Sequence, residues 1–184
     1  MSKKERIILG SGQVYLVEFA NAFPEVDTIC VEDNRLGYIS GGATLEYKPS
    51  FYQAKDDLGY VMKEIITDEE VTLKAGILTF TGNTLSKLAT TSRVSEDAEK
   101  KTRTTLIGGV GNRDGKSYAI VFHHEDKIDG DIYVCIVGTN QAGFSLSFAK
   151  DKETVVDAEF KAKPMDSDGT LIKYIEKDDS ITGA

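Results

Sequence analysis

The stretch from Val71 to Val94 constrains the fold of this chain more than any other. Its first half, Val71 to Phe80, alternates in the period-two pattern of a strand with one buried face. The apolar face holds Val71, Leu73, Ala75 and Ile77, whereas Thr72 and Lys74 fall on the other face. From Ile77 onward apolar side chains occupy both faces, so we expect this strand to enter a core that is covered on both sides.

A short helix is predicted directly after this strand. Gly82 and Asn83 break the alternation, and Leu85, Leu88 and Ala89 follow at helical spacing. Asn83 is the expected cap, because its side-chain oxygen can accept from the first free N–H groups. A helix this short is not stable alone, so it must dock its apolar stripe on a sheet.

The rest of the chain reads as short strands separated by Gly, Asn and Asp turns. A first strand is predicted at Gln13 to Phe19, and a hairpin from Asp27 to Glu32 and Leu36 to Ser40 across Asp33-Asn34-Arg35. Ser95 to Lys101 is expected to be a solvated linker. Later strands are predicted at Thr104 to Val110, Ser117 to His124, Asp131 to Val137, Phe144 to Ala149, Thr154 to Ala162 and Thr170 to Glu176. Together these patterns predict a single mainly β domain over residues 1–184, an antiparallel β-sandwich or barrel with one short flanking helix at about 83–91.

Residues 43–66 form the most unusual predicted element, an extended hairpin. Alternation begins at Ala43, a polar turn spans Lys55 to Gly59, and Tyr60 to Ile66 is the return strand. Pro49 cannot donate to a ladder, so it marks an edge or a bulge. The hairpin has many apolar residues outside any obvious core, and it is either folded back on its own domain or an arm that reaches a neighbouring subunit. The candidate contact residues for the second case are Phe51, Tyr52, Asp56, Asp57, Leu58, Tyr60 and Met62.

Charge and composition exclude several classes of protein. The net charge of −8 argues against recognition of nucleic acid through a basic surface. No apolar run approaches membrane-spanning length, and the first residues lack the apolar segment of a signal peptide, so we expect a protein made in the cytoplasm. Two cysteines are too few for a disulfide framework, and Cys135 lies in an apolar run that predicts a buried thiol.

No pattern of catalytic or metal-binding residues emerges from the sequence. Gly109 to Ser117 resembles a phosphate-binding loop, but Val110 stands where that motif requires glycine. The acidic stretches at Asp126 to Asp131 and Asp166 to Gly169 have the wrong glycine spacing for calcium loops and are read as turns. His123 and His124 are adjacent on a strand, so they point to opposite faces and cannot bind one metal ion together. We therefore expect no enzyme, no cofactor and no metal, although an enzyme whose site is distributed over distant residues stays open.

The chain resembles the tail tube (major tail) proteins of long-tailed bacteriophages. The resemblance is carried by the order and character of four stretches, not by an invariant motif. These are Leu36 to Pro49 entering the long hairpin, Glu70 to Leu78 followed by the short helix at Asn83 to Thr91, Ala158 to Pro164, and Asp168 to Leu171. They span the chain from about residue 36 to 176.

The resemblance implies a structural protein of the virion tail, assembled in the host cytoplasm. Such proteins form hexameric rings whose sheets join around a channel, and the rings stack into a tube through which the genome leaves. The implied partners are further copies of the chain, the tape-measure protein, tail-end proteins and viral DNA that passes without specific binding. No membrane is involved. An N-terminal arm at residues 1–12 and the hairpin are the expected contacts, and residues 177–184 are a C-terminal tail.

An acidic channel would keep DNA mobile, because only basic side chains neutralise phosphates and release counterions. The candidates for its lining are acids on outward strand faces, namely Glu46, Glu64, Asp157 and Glu159. Each of them also fits an ordinary solvated exterior. The alternative function is a β-sandwich that binds carbohydrate or protein on a virion or cell surface, although the chain has no Trp and its aromatic residues are scattered.

Overall fold

The computed structural model describes residues 7–181 of the chain. Most of the regular structure is strand, and all strand pairs are antiparallel. The strands are β1 Gln13–Glu18, β2 Arg35–Gly37, β3 Ile39–Lys55, β4 Met62–Ile77, β5 Ser92–Asp97, β6 Thr102–Ile107, β7 Tyr118–His124, β8 Ile132–Asn140, β9 Val156–Lys163 and β10 Lys173–Glu176. The helices are α1 Val26–Ile29 and α2 Gly82–Leu88, and short 3-10 turns lie at Glu32–Asn34 and Val110–Asn112. The predicted mainly β class is confirmed.

An 8-stranded sheet organises the molecule in the order β2-β1-β7-β8-β9-β4-β3, with β10 pairing to β8 and β5-β6 forming a separate ladder. The two strands at the ends of this order, β2 and β3, are joined by the single residue Tyr38. The sheet must therefore curl until its ends meet. The main chain of Tyr38 is held there, since its N–H donates to Thr79 Oγ1 at 2.8 Å and its carbonyl accepts from Leu78 N at 2.7 Å. The result is barrel-like, but no ladder joins β2 to β3 within the described residues.

The core lies inside this curl. It is built from buried side chains of β1, β2, β4, β7, β8 and β9, including Phe160, and Leu88 of α2 is buried with them. A second apolar cluster covers the opposite face of β1, β7 and β8, where Val26 and Ile29 pack against Val121, Tyr133 and Cys135. Because apolar residues cover it on both faces, β8 is buried along its whole length.

The helix α2 is the flanking helix that the sequence predicts, but its cap differs from the prediction. Thr81 is the N-cap residue and its N–H donates to Thr84 Oγ1 at 3.1 Å, so the expectation that Asn83 caps the helix is wrong. Thr84 also donates to the carbonyl of Leu36 at 3.3 Å, which ties the first turn of α2 to β2. Asn140 Nδ2 donates to the carbonyl of Leu88 at 2.9 Å and so satisfies the other end.

The hairpin predicted across Asp33-Asn34-Arg35 is wrong. Residues Val26–Ile29 form a single helical turn, and the predicted second strand is divided between β2, which pairs with β1, and the start of β3, which pairs with β4. This segment is helical because Val26 and Ile29, three positions apart, are both buried, and a spacing of three places both side chains on one face of a helix.

Two further predictions between residues 92 and 149 are corrected. The expected linker Ser95 to Lys101 belongs to the β5-β6 hairpin, where Glu96 and Arg103 pair across the strands at 2.7 Å. Its charges indicated a linker, but they are paired on an exposed ladder. The expected strand at Phe144 to Ala149 is irregular, with one isolated bridge between Ala149 and Lys152.

The strands of the long hairpin are longer than predicted. Tyr60 to Ile66 and Val71 to Phe80 were expected as two strands, whereas Met62–Ile77 is one strand of 16 residues paired with β3. Gly41 and Gly42, at φ +80° and +78°, form a bulge within β3 and do not end it. Pro49 lies on the edge strand of the sheet, as expected. None of the helices in the described part of the chain is long and apolar enough to cross a bilayer.

Candidate assembly surface

The distal part of the β3-β4 hairpin, residues 51–66, projects from the body of the protein and is called the arm below. Every residue from 51 to 70 is exposed, whereas the next residue of β4, Val71, is 1% exposed. The structure thus excludes a hairpin that folds back on its own described domain. The predicted N-terminal arm and C-terminal tail lie partly outside the described residues, at 1–6 and 182–184.

The arm is densely apolar. Tyr60 and Leu58 at its tip are 84% and 77% exposed. Along the two strands, the side chains of Phe51, Tyr52, Met62, Ile65 and Ile66 are about half exposed or more. Asp56 shapes the turn, because its carboxylate accepts from Val61 N at 2.7 Å, and Asp57 beside it is exposed. The seven contact candidates therefore all lie on one projecting element, although whether they touch another subunit stays a prediction.

The arm has two apolar faces, because apolar residues are adjacent in sequence on both of its strands. Ser50 pairs with Asp68 and Phe51 pairs with Ile66, so Thr67 is an extra residue of β4. Directly paired residues share a face, and successive residues alternate. The pair Phe51–Ile66 therefore lies on one face, and the pair Tyr52–Ile65 lies on the other. A ribbon of two strands cannot cover either face by itself.

Three of the four candidate channel residues share the outer face of β3, β4 and β9. Lys74 pairs across the sheet with Thr44 on one side and Glu159 on the other, and its Nζ lies 3.3 Å from Glu46 Oε2 and 3.8 Å from Glu159 Oε2. Asp157 lies on the same face of β9, two residues before Glu159. The pKa of Glu46 is lowered by hydrogen bonds from Lys74, the larger effect, and from Lys48. The pKa of Lys74 is raised by the same hydrogen bond to Glu46. The outer face of β3, β4 and β9 therefore carries acidic and basic side chains that are paired with one another.

Glu64 does not share that face. It pairs with Gln53, whose Nε2 donates to its carboxylate, and Gln53 is odd-numbered on a strand where Glu46 is even-numbered. Without an extra residue in between, Glu64 would share the face of Glu70 and Lys74, because all three are even-numbered residues of β4. The extra residue Thr67 reverses the faces of β4 beyond it. The four acids therefore cannot line one continuous surface of a single copy.

The two histidines point to opposite faces, as predicted. His124 is buried, and its Nδ1 donates to the carbonyl of Ser11 at 2.7 Å, which fastens the segment before β1. His123 stacks on Tyr133 with ring centroids 4.4 Å apart, and its Nε2 lies 3.2 Å from Asp131 Oδ2. Both contacts hold the chain in place, and sequence gave no signal for them.

The acidic stretches are turns, as predicted. Asp166 accepts from the N–H groups of Asp168 and Thr170 at 3.1 and 2.9 Å, and hydrogen bonds from Thr170 lower its pKa. Asp126 accepts in the same way from Ile128 and Asp129. Among residues 7–181 no group of three or more His, Cys, Asp or Glu side chains is placed to hold a metal ion.

The cysteines are free thiols. Burial raises the pKa of Cys135 to about 12 and that of Cys30 to about 11. A thiol that stays protonated at neutral pH is a poor nucleophile, so neither residue is prepared for covalent chemistry.

A second exposed surface, which sequence reasoning missed, lies on the β5-β6 hairpin. Gly82 of α2 lies close to Thr105 and Arg103, so the helix contacts one face of this hairpin. The opposite face presents the cross-strand pair Arg93 and Leu106, and Leu106 is 53% exposed. Val110, which is 93% exposed, and Arg113 follow in the adjoining loop. Asp114 N donates to the carbonyl of Thr90 at 2.9 Å, which holds this loop beside the start of β5.

These four residues, Arg93, Leu106, Val110 and Arg113, are called the basic patch below. The signal for it was the occurrence of Arg93 and Arg113 close in sequence to the apolar residues Leu106 and Val110, but the cross-strand pair of Arg93 with Leu106 could not be inferred once Ser95 to Lys101 was interpreted as a linker. Comparison with models of known protein families finds no match, and a search of curated proteins finds none either.

Proposed function

We propose that this chain is a structural virion protein that polymerises as stacked hexameric rings into a phage tail tube, a negatively charged conduit for DNA ejection. The observation that supports this best is the arm, whose apolar side chains are exposed on both faces. A monomer with such an element is prone to aggregate, and an ordered polymer covers it.

The free edge of β3 supports the same proposal. This strand of 17 residues pairs only with β4 within the described chain. A long unpaired edge is a template for another strand, and natural monomers keep such edges short or cover them. Pairing across a closed ring removes the edge, and head-to-tail stacking of rings gives a filament of open length.

The resemblance of the sequence to tail tube proteins is the source of several parts of this proposal. They are the ring size, the stacking, the tape-measure and tail-end partners, and the passage of DNA. Charge is consistent with them. Six copies at −8 each would carry about −48 per ring, enough to set the distribution of ions and DNA in a channel that part of it faces.

The proposal is tested by removing the arm. Residues 51–67, which are the arm and the bulge residue, are replaced with the two-residue turn Asn-Gly, which joins the paired residues Ser50 and Asp68. The removed side chains are exposed, so we expect a folded monomer with nearly unchanged thermal stability and no assembly. Wild-type protein at high concentration should form rings or tubes of even bore in negative-stain electron microscopy.

Two results would each contradict one part of the proposal, either the role of the arm or the polymerisation itself. Normal tubes from the shortened variant would show that the arm is not an assembly contact. A wild-type protein that stays monomeric at every concentration would favour the alternative, a β-sandwich module that binds carbohydrate or protein.

A further inference from the structure

The arm has enough exposed apolar surface to form one side of a protein interface. Eight large apolar residues between positions 51 and 66 are between 49% and 84% exposed. At the roughly 150–250 Å² of an aromatic side chain, and less for an aliphatic one, this leaves on the order of 1,000 Å². A standard interface buries about 800 Å² on each partner. The partner of the arm is therefore expected to be a protein surface of ordinary interface size.

The same chain contains a surface of complementary character. Residues 51–70 hold six acids and two lysines, a net charge of −4, whereas residues 92–113 hold five basic residues and three acids, a net charge of +2. This positive segment stands out in a chain of net charge −8. In both segments the charges are interleaved with exposed aliphatic or aromatic side chains.

The basic patch has arginines available for a partner. Arg103 is already paired with Glu96 at 2.7 Å, and Lys100 with Asp97 at 3.0 Å. No ion pair is found for Arg93 or Arg113 within residues 7–181, and both side chains belong to exposed residues. The guanidinium group suits a carboxylate because its donors match the two oxygens.

We propose that the arm of one copy docks on the basic patch of a second copy, with Asp56 and Asp57 facing Arg93 and Arg113, and the apolar arm residues covering Leu106 and Val110. The inference rests on the proposed self-assembly and names the surface that receives the arm. The patch belongs to another copy, because the arm residues are exposed and so do not cover the patch of their own chain. Two different surfaces meet in this contact, so it is head-to-tail and extends into rings or filaments.

Charge reversal on each side tests the contact. The arm variant carries Asp56→Lys and Asp57→Lys, and the patch variant carries Arg93→Glu and Arg113→Glu. Each should raise the critical concentration for assembly at least about tenfold, because like charges then face each other across the interface. A chain with all four substitutions should recover most of the wild-type value. Sedimentation velocity over a concentration series measures all of them.

Matched controls are available in the exposed loop after the irregular segment. Asp151→Lys with Glu153→Lys, and Lys150→Glu with Lys152→Glu, make the same changes in net charge at residues that are exposed. They should leave the critical concentration within about twofold of wild type, because neither pair lies on the arm or the patch. An equal effect of these controls would overturn the inference, since net charge alone would then explain the result.

Cross-linking separates failure of this contact from failure of the tube. Asp57→Cys protein is mixed with Val110→Cys protein and treated with a short bis-maleimide, and Asp57→Cys mixed with Lys150→Cys protein is the control. A cross-linked peptide between positions 57 and 110 supports the contact, even if no tubes form and the tube proposal fails. Wild-type tubes without this cross-link, and with no effect of charge reversal, overturn the contact and leave the proposed function standing.

Discussion

At the scale of single residues, the same residue type has opposite roles according to where the register places it. Phe160 is 0% exposed in the centre of the core, whereas Phe51 is 53% exposed on the arm. Ile65 and Ile66 are neighbours in sequence and therefore lie on opposite faces, where they pair with Tyr52 and Phe51 respectively. Sequence alternation identified the buried set correctly in Val71, Leu73, Ala75 and Ile77. It failed at Glu64, because one unpaired residue in an exposed ladder leaves no mark in the pattern of apolar positions.

The two phenylalanines give the first prediction. Phe160→Ala should lower the free energy of unfolding by about 3–5 kcal/mol, because it leaves a cavity among side chains that cannot collapse into it. Phe51→Ala should change the stability of the monomer by less than about 0.5 kcal/mol, because its ring is exposed. Urea denaturation of dilute protein measures both values. A large loss from Phe51→Ala in the monomer would mean that the arm packs on its own domain, contrary to the structure.

At the scale of elements, the strands and the flanking helix follow from the sequence, but several element ends do not. The first strand, the strands around residues 118–124 and 132–140 and the helix after Gly82 lie close to their predicted positions. Two of the errors, at the end of β5 and inside β4, share a cause, since acidic residues were taken to end a strand. Glu69 and Glu70 lie inside β4, and Glu96 and Asp97 lie inside β5, because cross-strand partners hold them on an exposed ladder. Local propensity cannot report such pairing.

The start of α2 gives the second prediction, with a control that separates the sequence expectation from the structure. Thr84→Val keeps the volume but removes the hydroxyl that accepts from Thr81 N and donates to the carbonyl of Leu36. Since Thr84 is buried, leaving these groups unsatisfied should cost about 1–3 kcal/mol of stability. Asn83→Ala should cost less than about 0.5 kcal/mol, since the side chain is not the cap. Thermal unfolding of the two variants decides between them, and a greater loss from Asn83→Ala would restore Asn83 as the cap.

At the scale of the whole molecule, the two end strands of the sheet, β2 and β3, meet at Tyr38, and the long edge of β3 is left without a partner strand. Tyr38 joins β2 to β3, so the curled sheet closes its core without closing its ladder. Because β3 continues into the arm, its free edge also continues along the first strand of the arm. A monomer that encloses its core but leaves this edge open is suited to pair with further copies.

The last prediction concerns which acidic face of the assembled tube meets DNA. Glu46, Asp157 and Glu159 lie on one face with Lys74 between them, and Glu64 lies on the other face of the hairpin. If the shared face lines the channel, changing the three acids to lysine leaves a mainly basic surface, on which Glu70 stays acidic and pairs with Lys161. Such a surface would neutralise phosphates and retain the duplex. We expect particles with Glu46→Lys, Asp157→Lys and Glu159→Lys to form tubes of normal length but to eject DNA more slowly, with the delay shrinking as salt is raised. Glu64→Lys alone should leave ejection unchanged. A DNA-binding dye follows the rate of ejection. The assignment would be contradicted if the triple variant ejected DNA as fast as wild type while Glu64→Lys slowed its release.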